Sequence, residues 1–496
     1  MWLTSLFSRN EPASLPLYLY NTLGKSKQPF TLPKRTGNTL NARTVRMYNC
    51  GPTVYDVQHI GNLSMFVFAD VLRRVLEYNK FKVKQVINIT DVGHLTSDAD
   101  YGDDKMAKGL KREGKKLTLD NMRELGEKYT EIFLNDISLL NIDTAQITFP
   151  RASAYISAQI AMAATLEEKG YAYRAKDGLY FDTSRFPFYG MLGDINLENL
   201  KEGARIAANS DKRNPTDFIL WKLDSKLGWD SPWGKGFPGW HIECSAMIRA
   251  TLGKQIDIHT GGIEHIAIHH NNEIAQSEIV TGKRPLSRFW MHRAHIQLEN
   301  SKIAKSEGNV VYLSDIMSRD IHPLALRYLF LGAHYRTPGN FSWEALLASE
   351  TAFLRLRLLA DSFPTGGKAP ANYQARIHER FNDDLDVSGA LAIIWEMVND
   401  KTLAPQDIRA GLINADLVLG LGLDSEDARA KNATLKRFGK QVSLSDLPPS
   451  VKEKIDERAQ ARAKKDWQNA DNIRDELAKD GYILEDAETE TIIFKK

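Results

Sequence analysis

The sequence predicts an α/β fold built on a parallel sheet, and three successive segments lead there. Residues 44–50, Thr-Val-Arg-Met-Tyr-Asn-Cys, have the composition of a strand and run into the turn pair Gly51-Pro52. Met65, Phe68, Ala69, Leu72, Val75 and Leu76 then recur at helical spacing, which predicts a helix from Met65 to about Asn79 capped by Asn62 or Ser64. Phe81 to Ile89 alternates as a second strand and stops at Thr90-Asp91. Strand, helix, strand opens a parallel sheet of the kind whose ligands, often nucleotides, gather at the carboxyl ends of the strands. The same pattern resumes at Ile256-Asp257-Ile258-His259 and from Phe289 to Ile296.

Between these strands, residues 98–235 read as an insertion. It begins with a charged stretch (Lys105, Lys108, Lys111, Arg112, Lys115, Lys116), read as a solvated helix face, and ends in the Gly/Pro/Trp-rich run 228–239. From Ser342 to about Leu421 the apolar spacing predicts helices at Ala345–Leu359, Tyr373–Phe381 and Val387–Val398, hence a bundle. Residues 424–448 are polar and poorly periodic, as in a linker. A last module follows: one long helix from Val451 to Asp480, a break at Gly481, and strands Tyr482–Glu485 and Thr491–Phe494.

At 496 residues the chain exceeds one hydrophobic core and predicts two to four domains. Its 43% hydrophobic and 26% charged residues are those of an ordinary globular protein. The 65 Lys+Arg and 63 Asp+Glu leave a formal charge of +2, so any nucleic-acid contact has to come from local patches. The first residues lack the basic region and apolar run of a signal peptide, and no stretch is apolar for the length of a membrane span. A cytoplasmic enzyme is therefore expected, and in that reducing compartment its two cysteines, Cys50 and Cys244, stay unbridged.

Three constellations carry chemistry. His59-Ile60-Gly61-Asn62 falls between the first strand and its helix, where a glycine lets backbone approach a phosphate and an imidazole can donate to its oxygens. Lys302-Ile303-Ala304-Lys305-Ser306, before Glu307-Gly308-Asn309, puts two lysines three apart where they can meet a triphosphate; in isolation it reads rather as a solvated basic turn. The third is metal-like. Cys50 and Cys244 supply thiols, while His269 and Glu273, four apart, share a helix face. Two thiolates, an imidazole and a carboxylate make a reasonable zinc set, though no local spacing rule ties them together. His270, one residue over, is read as facing elsewhere on the helix and as structural.

Cys50-Gly51-Pro52-Thr53-Val54-Tyr55-Asp56, the His-Ile-Gly-Asn run, Asn88-Ile89-Thr90-Asp91, Gly239 to Met247 and His259 to Ser277, in this order and spacing, resemble the cysteinyl-tRNA synthetases. The match continues through the lysine loop into the C-terminal helix. It implies a Rossmann-type class I synthetase catalytic domain with an insertion, followed by a helical bundle and a small C-terminal α/β domain. In residues, that is a catalytic domain over 1–312 with its connective insertion at 98–235, a connecting stem-contact segment 313–341, a tRNA-binding bundle 342–423, a linker 424–448 and an anticodon-recognition domain 449–496.

The resemblance implies ATP-dependent attachment of L-cysteine to tRNA(Cys), with Mg²⁺ accompanying ATP and one zinc ion per chain. The class motifs His-Ile-Gly-His and Lys-Met-Ser-Lys-Ser look here like residues 59–62 and 302–306, with departures at Asn62, Ile303 and Ala304. His59, Lys302 and Lys305 take the catalytic positions; His59, Gly61, Asn62, Lys302, Lys305 and Ser306 take the ATP-binding ones. The zinc ligands fall on Cys50, Cys244, His269 and Glu273, and the cysteine pocket on Gly51, Thr90, Trp240 and His259. Glu264 stands where many relatives carry aspartate and receives no role.

Cysteine and serine differ by one atom, which shape discriminates weakly, whereas a thiophilic metal separates them by bond chemistry without an editing site. Residues 451–496 hold ten Lys+Arg and twelve Asp+Glu, so anticodon contacts there must be specific: Arg462 to a guanine edge, Asp471 and Asp486 to base amino groups, Trp467 by stacking. Each is also an ordinary surface charge or, for Trp467, a packing residue. The expected state is a monomer. Two other readings share these motifs: a ligase joining cysteine to an amino sugar, as in mycothiol biosynthesis, and an inactive RNA-binding paralogue.

Overall fold

The structure is a computed structural model that describes residues 15–33, 44–92, 105–195, 212–298, 301–302, 310–486 and 491–496. These form two compact units. The first takes the described residues up to Leu313 together with Ala333–Phe341 and Arg380–Asp386; the second takes Ser314–Gly332, Ser342–Glu379 and the chain from Val387 onward.

The first unit is organised by a five-stranded parallel sheet of β1 (Thr44–Asn49), β2 (Lys82–Ile87), β3 (Ile147–Thr148), β4 (Ile256–Gly262) and β5 (Ser287–Arg293), ordered β5-β4-β1-β2-β3. Every pairing is parallel, with Tyr48 opposite both Val86 and His259. Strands buried on both faces read as continuous apolar runs, and Val45, Met47, Tyr48, Val86, Ile87, Ile256 and Ile258 are all inaccessible. The order reverses between β1 and β4. Chain entering one strand departs over one face and chain entering the other over the opposite face, which leaves a crevice at their carboxyl ends.

Helix α1 (Ile60–Tyr78) follows β1 and is buried at Leu63, Phe66, Val67, Val71, Leu72 and Val75. It starts five residues before the predicted Met65, because His59 rather than Asn62 or Ser64 is its cap. Of the four-stranded antiparallel sheet, Ala172–Arg174, Gly178–Phe181 and Phe218–Leu223 lie within the segment 98–235 read as an insertion, and the fourth strand, Gly236–Pro238, lies just beyond its end. That segment also contains β3, however, which joins the main sheet beside β2 after helix Leu119–Leu139. A two-residue strand carries no readable period, so its place in the sheet was invisible in the sequence.

Two further helices complete the crevice: α2 (Trp240–Thr251) before β4, and α3 (His269–Thr281) between β4 and β5. Helix α3 stops where Gly282 takes the left-handed conformation (φ 63°), its N–H bonding the Glu278 carbonyl. Trp221, Trp290, Phe181, Phe218, Ile242, Met247 and Ile274 form one core under the helices and both sheets.

In the second unit, helices Pro323–Leu331, Trp343–Ser362, Val387–Val398 and Pro405–Leu419 bury Leu326, Phe353, Leu354, Ile394 and Leu412. The 424–448 segment contains helix Ala428–Phe438, capped by Asp427, and strand Lys440–Val442, which pairs with Thr491–Lys495. The long terminal helix is two helices, Pro449–Ala463 and Trp467–Lys479. Lys465 turns the chain with φ 61°, and the Asp466 carboxylate accepts the Asn469 N–H to start the second helix. Leu447, Val451, Ile455, Ile473, Leu477, Leu484 and Ile493 close the core of this module. Among the described residues no helix is long and apolar enough to cross a membrane.

Candidate active site and metal centre

The crevice at the reversal of strand order is where the sequence motifs converge. Cys50 is the first residue beyond β1, and its N–H bonds the Thr260 carbonyl of β4 at 3.1 Å. The next residue lies against a neighbouring segment: a Cβ on Gly51 would stand 1.6 Å from the Asn88 carbonyl oxygen, and its N–H donates to Asn88 Oδ1 at 2.8 Å. Only glycine permits that approach, which locks the Cys50 loop onto the Asn88–Asp91 segment after β2. Val54 N–H to the Thr90 carbonyl and Thr90 N–H to the Pro52 carbonyl, both 3.0 Å, extend the lock.

Helix α3 delivers the imidazole and carboxylate. It is buried throughout its first ten residues although most of them are polar, an arrangement that is stable only with internal partners. Ser245 Oγ donates to Gln276 Oε1 at 2.7 Å, and Asn271 Nδ2 donates to the Ile266 carbonyl at 2.7 Å. Cys50, Cys244, His269 and Glu273 bring four ligand atoms within 4.8 Å of one another, all buried, a cluster able to hold a metal ion. A tetrahedral ion with bonds of about 2.0–2.3 Å keeps its ligands roughly 3.3–3.8 Å apart, so the donor types suit one, and the 2.9 Å His269–Glu273 contact is a hydrogen bond that metal binding would replace. Glu273 directs Oε1 to His269 Nε2 (2.9 Å) and Oε2 to His259 Nε2 (2.8 Å). On the far side of its ring, His269 Nδ1 meets His241 Nδ1 at 2.8 Å.

The electrostatics suit a cation. Burial alone would strip the proton from His269, but Glu273 and Cys244 outweigh it and raise its pKa to about 10. Burial likewise disfavours the Glu273 carboxylate, yet His259 and His269 hold it down at about 2. The hydrogen bond from Cys50 lowers Cys244 to about 6, while burial pushes Cys50 up. Protein protons thus occupy the place where a metal ion would supply positive charge.

A second set, Cys50, His259, His270 and Glu273, overlaps the first. His270 does not face away, as its position one residue from His269 suggests, because residues 270 and 273 are also neighbours on a helix. Its Nε2 is 3.2 Å from Cys50 Sγ, its Nδ1 2.8 Å from His292 Nε2, and His292 Nδ1 2.8 Å from Thr22 Oγ1. Burial holds His270 and His292 neutral, well below the usual imidazole range. A neutral ring donates from one nitrogen and accepts at the other. Were Cys50 a thiolate on a metal ion, the chain would have one consistent direction: Thr22 to His292, His292 to His270, and His270 Nε2–H to the sulfur. In that arrangement His270 would support the Cys50 sulfur as a hydrogen-bond donor and leave the metal position to the first set.

The cluster opens into a cavity of about 430 Å³ lined by Cys50, Gly51, Thr90, Lys105, Trp240, Cys244, Glu264 and His269, among others. Three of the four residues expected in an amino-acid pocket, Gly51, Thr90 and Trp240, border it. His259 is instead fully buried, stacked on Trp290 and holding Glu273 from the rear. Trp240 lies tilted over His269 with ring centres 4.5 Å apart. Glu264, unassigned from the sequence, borders both this cavity and a smaller lobe of about 140 Å³ shared with His59, Gly61, Asn62 and Arg293. Arg293 is buried, donates from Nε to Ser64 Oγ at 2.9 Å, and gave no sequence signal beyond ending β5.

At the rim, His59 caps α1 by accepting the Asn62 N–H on Nδ1 at 3.2 Å. A Cβ on Gly61 would come within 3.0 Å of that ring, so glycine lets the imidazole fold back over the first turn. The lysine-bearing stretch begins and ends nearby. Lys302 pairs in a short strand with Gln297, and beyond the stretch Tyr312 bridges to His59 while the Ile60 N–H bonds the Val311 carbonyl at 2.9 Å. Lys305 and Ser306 lie outside the described residues. In the terminal module, Trp467 is 58% exposed at the start of its helix, and Asp471 sits one turn on, within 3.2 Å of Arg474. Arg462 is in the last turn of the preceding helix, and Asp486 ends a strand opposite Thr491.

A doubly wound sheet with a histidine-capped helix at its switch point is the catalytic architecture of class I tRNA synthetases. The family model of the tRNA synthetases class I (C) catalytic domain matches residues 36–351, and that of the cysteinyl-tRNA ligase anticodon binding domain matches residues 444–491. A cysteine–tRNA ligase of Burkholderia lata is 46% identical over 95% of both chains. One of Treponema denticola is 39% identical over 95% of this chain and 98% of its own. The chain belongs to the cysteine–tRNA ligase family. Among solved structures, Mycobacterium tuberculosis methionyl-tRNA synthetase bound to methionyl-adenylate superposes with a TM-score of 0.53 at 14% identity, over 79% of this chain and 93% of that one, a likeness of fold.

Proposed function

We propose that this chain activates L-cysteine with ATP and transfers it to the 3′-terminal adenosine of tRNA(Cys). One observation carries the reading: a buried cluster of two thiols, an imidazole and a carboxylate opens into the cavity that the His59-capped helix also borders. When bound by Cys50, Cys244, His269 and Glu273, zinc supplies a thiophilic Lewis acid that prefers sulfur to a hydroxyl.

The remaining work falls to the protein. Gly51 and Thr90 wall the cavity beside the cluster, Trp240 covers His269, and His259 fixes the Glu273 carboxylate. The cysteine carboxylate attacks the α-phosphorus in line, the P–O bond to pyrophosphate breaks, and cysteinyl-adenylate forms. His59, Gly61, Asn62, Lys302, Lys305 and Ser306 are assigned to the nucleotide, with His59 and the two lysines, alongside Mg²⁺, offsetting the negative charge on the departing pyrophosphate. A ribose hydroxyl of the tRNA then attacks the carbonyl carbon and AMP leaves. Positioning and charge account for both steps without a protein nucleophile.

Arg462, Trp467, Asp471 and Asp486 are assigned to the anticodon. The division into catalytic domain, connecting segment, bundle, linker and terminal domain, a monomeric state and a cytoplasmic location belong to the same reading. The terminal module disfavours the amino-sugar ligase, which lacks it.

Cysteine-dependent exchange of labelled pyrophosphate into ATP tests this, with serine and Cys244→Ser as controls. Exchange with cysteine alone, lost in the variant, supports activation and thiol selection, and charging of tRNA(Cys) then identifies the acceptor. Folded, zinc-loaded protein with no exchange would favour the inactive RNA-binding reading.

A further inference from the structure

The cavity wall carries a cation that this mechanism does not use. Lys105, the first residue of helix Lys105–Arg112, borders the large cavity, and its Nζ lies 5.1 Å from the centre of the Trp240 ring. Trp240 leans in turn on His269. Along one wall the order is therefore metal-ligand imidazole, indole, ammonium.

That placement is built into the packing. A Cβ on Gly109 would come within 2.7 Å of the Tyr55 carbonyl, so the helix touches the loop that carries Cys50. Arg112 clamps the same loop, with Nη1 2.9 Å from Asp56 Oδ2 and Nη2 donating to the Tyr55 carbonyl at 2.7 Å. Met106 and Leu110 are buried beneath. Lys105 is thus fixed relative to Cys50 by the helix that bears it, and the indole face holds its ammonium by a cation–π contact.

The cavity also carries Glu264. An amino acid held by its thiol at the cluster must place both an α-ammonium and an α-carboxylate in this space. The carboxylate is repelled by Glu264 and attracted by Lys105; the ammonium has the opposite preferences. We propose that Lys105 binds the α-carboxylate of the amino-acid substrate and so orients it for attack on ATP. This rests on the reading of the cluster as the thiol site.

The test compares L-cysteine with cysteamine, which keeps the thiol and amine but lacks the carboxylate. Calorimetric binding to zinc-loaded wild type, Lys105→Met, Lys105→Gln and Lys105→Arg should show cysteine weakened about tenfold by Met and Gln and partly restored by Arg. Cysteamine should stay within twofold throughout, with zinc content unchanged. In the exchange assay KM for cysteine should rise while KM for ATP holds. Equal losses for both ligands, or none for either, would overturn the assignment. Wild type that binds neither ligand would instead bring down the thiol-site reading itself.

Discussion

His59 Nδ1 accepts the main-chain N–H of Asn62 at 3.2 Å, so this imidazole is both the cap of α1 and a wall of both cavities. With Nδ1 accepting, a neutral ring carries its proton on Nε2, the tautomer needed to donate to a phosphate oxygen. The two roles separate by substitution. Asparagine is a good helix cap but lacks the distal donor. His59→Asn is expected to slow cysteine-dependent exchange by about 10²-fold or more while leaving the melting temperature nearly unchanged. His59→Ala should lose a further ~1 kcal/mol of stability with the cap. An unimpaired His59→Asn enzyme would remove His59 from the chemistry.

The two overlapping donor sets make different claims about metal content. If Cys50, Cys244, His269 and Glu273 hold the ion, His269→Gln loses it, whereas His270→Asn keeps it with affinity reduced about 10–100-fold through the lost N–H to Cys50. Elemental analysis of the two purified variants, followed by chelator competition, decides the matter. Metal retained by His269→Gln and absent from His270→Asn would transfer the site to the second set.

Gly51 is a steric hinge point of the same centre. Alanine there would bring a carbon to 1.6 Å from the Asn88 carbonyl oxygen, a separation only backbone movement can relieve. Because Cys50 immediately precedes it, that movement would displace the sulfur proposed as a metal ligand. Gly51→Ala is expected to lower the melting temperature by several degrees and to yield protein with little bound zinc. A stable, fully zinc-loaded Gly51→Ala protein would mean the loop yields more readily than the packing indicates.

What was legible in the sequence follows from how local each feature is. The β1 strand, its glycine turn and the histidine motif fall within residues 44–62, and with the helix and second strand that follow they predict a parallel sheet with a site at the strand ends. The cluster able to hold a metal draws its side chains from the end of β1, from α2 and from α3, so spacing could not assemble it; only the family resemblance named the four together. His270 was misjudged because a single-step offset suggests a different face, although the i,i+3 relation to Glu273 brings it back. Lys105 was hidden among other lysines, since composition does not distinguish a solvated charge from one laid on an indole. The break at Lys465 was missed because Lys464-Lys465-Asp466 carries neither glycine nor proline to mark it.

Asp136, far along helix Leu119–Leu139, offers a prediction about stability alone. It is 8% exposed, and burial raises its pKa to about 6, opposed only by a hydrogen bond from Asn135. An unfolded aspartate titrates near ~3.9. Between about pH 4 and pH 6 the folded chain therefore binds more protons than the unfolded one, and stability falls as pH rises through that window. Above it the ionised carboxylate costs the fold its full penalty, on the order of 1–2 kcal/mol after allowing for partial contact with solvent. Asp136→Asn keeps the shape and removes the charge. Its melting temperature should exceed that of the wild type by about 2–4 °C at pH 8, with the gap closing toward pH 4. A gap that is constant with pH would trace the gain to packing, and a lower melting temperature at pH 8 would mean that the carboxylate makes a favourable contact in its ionised form.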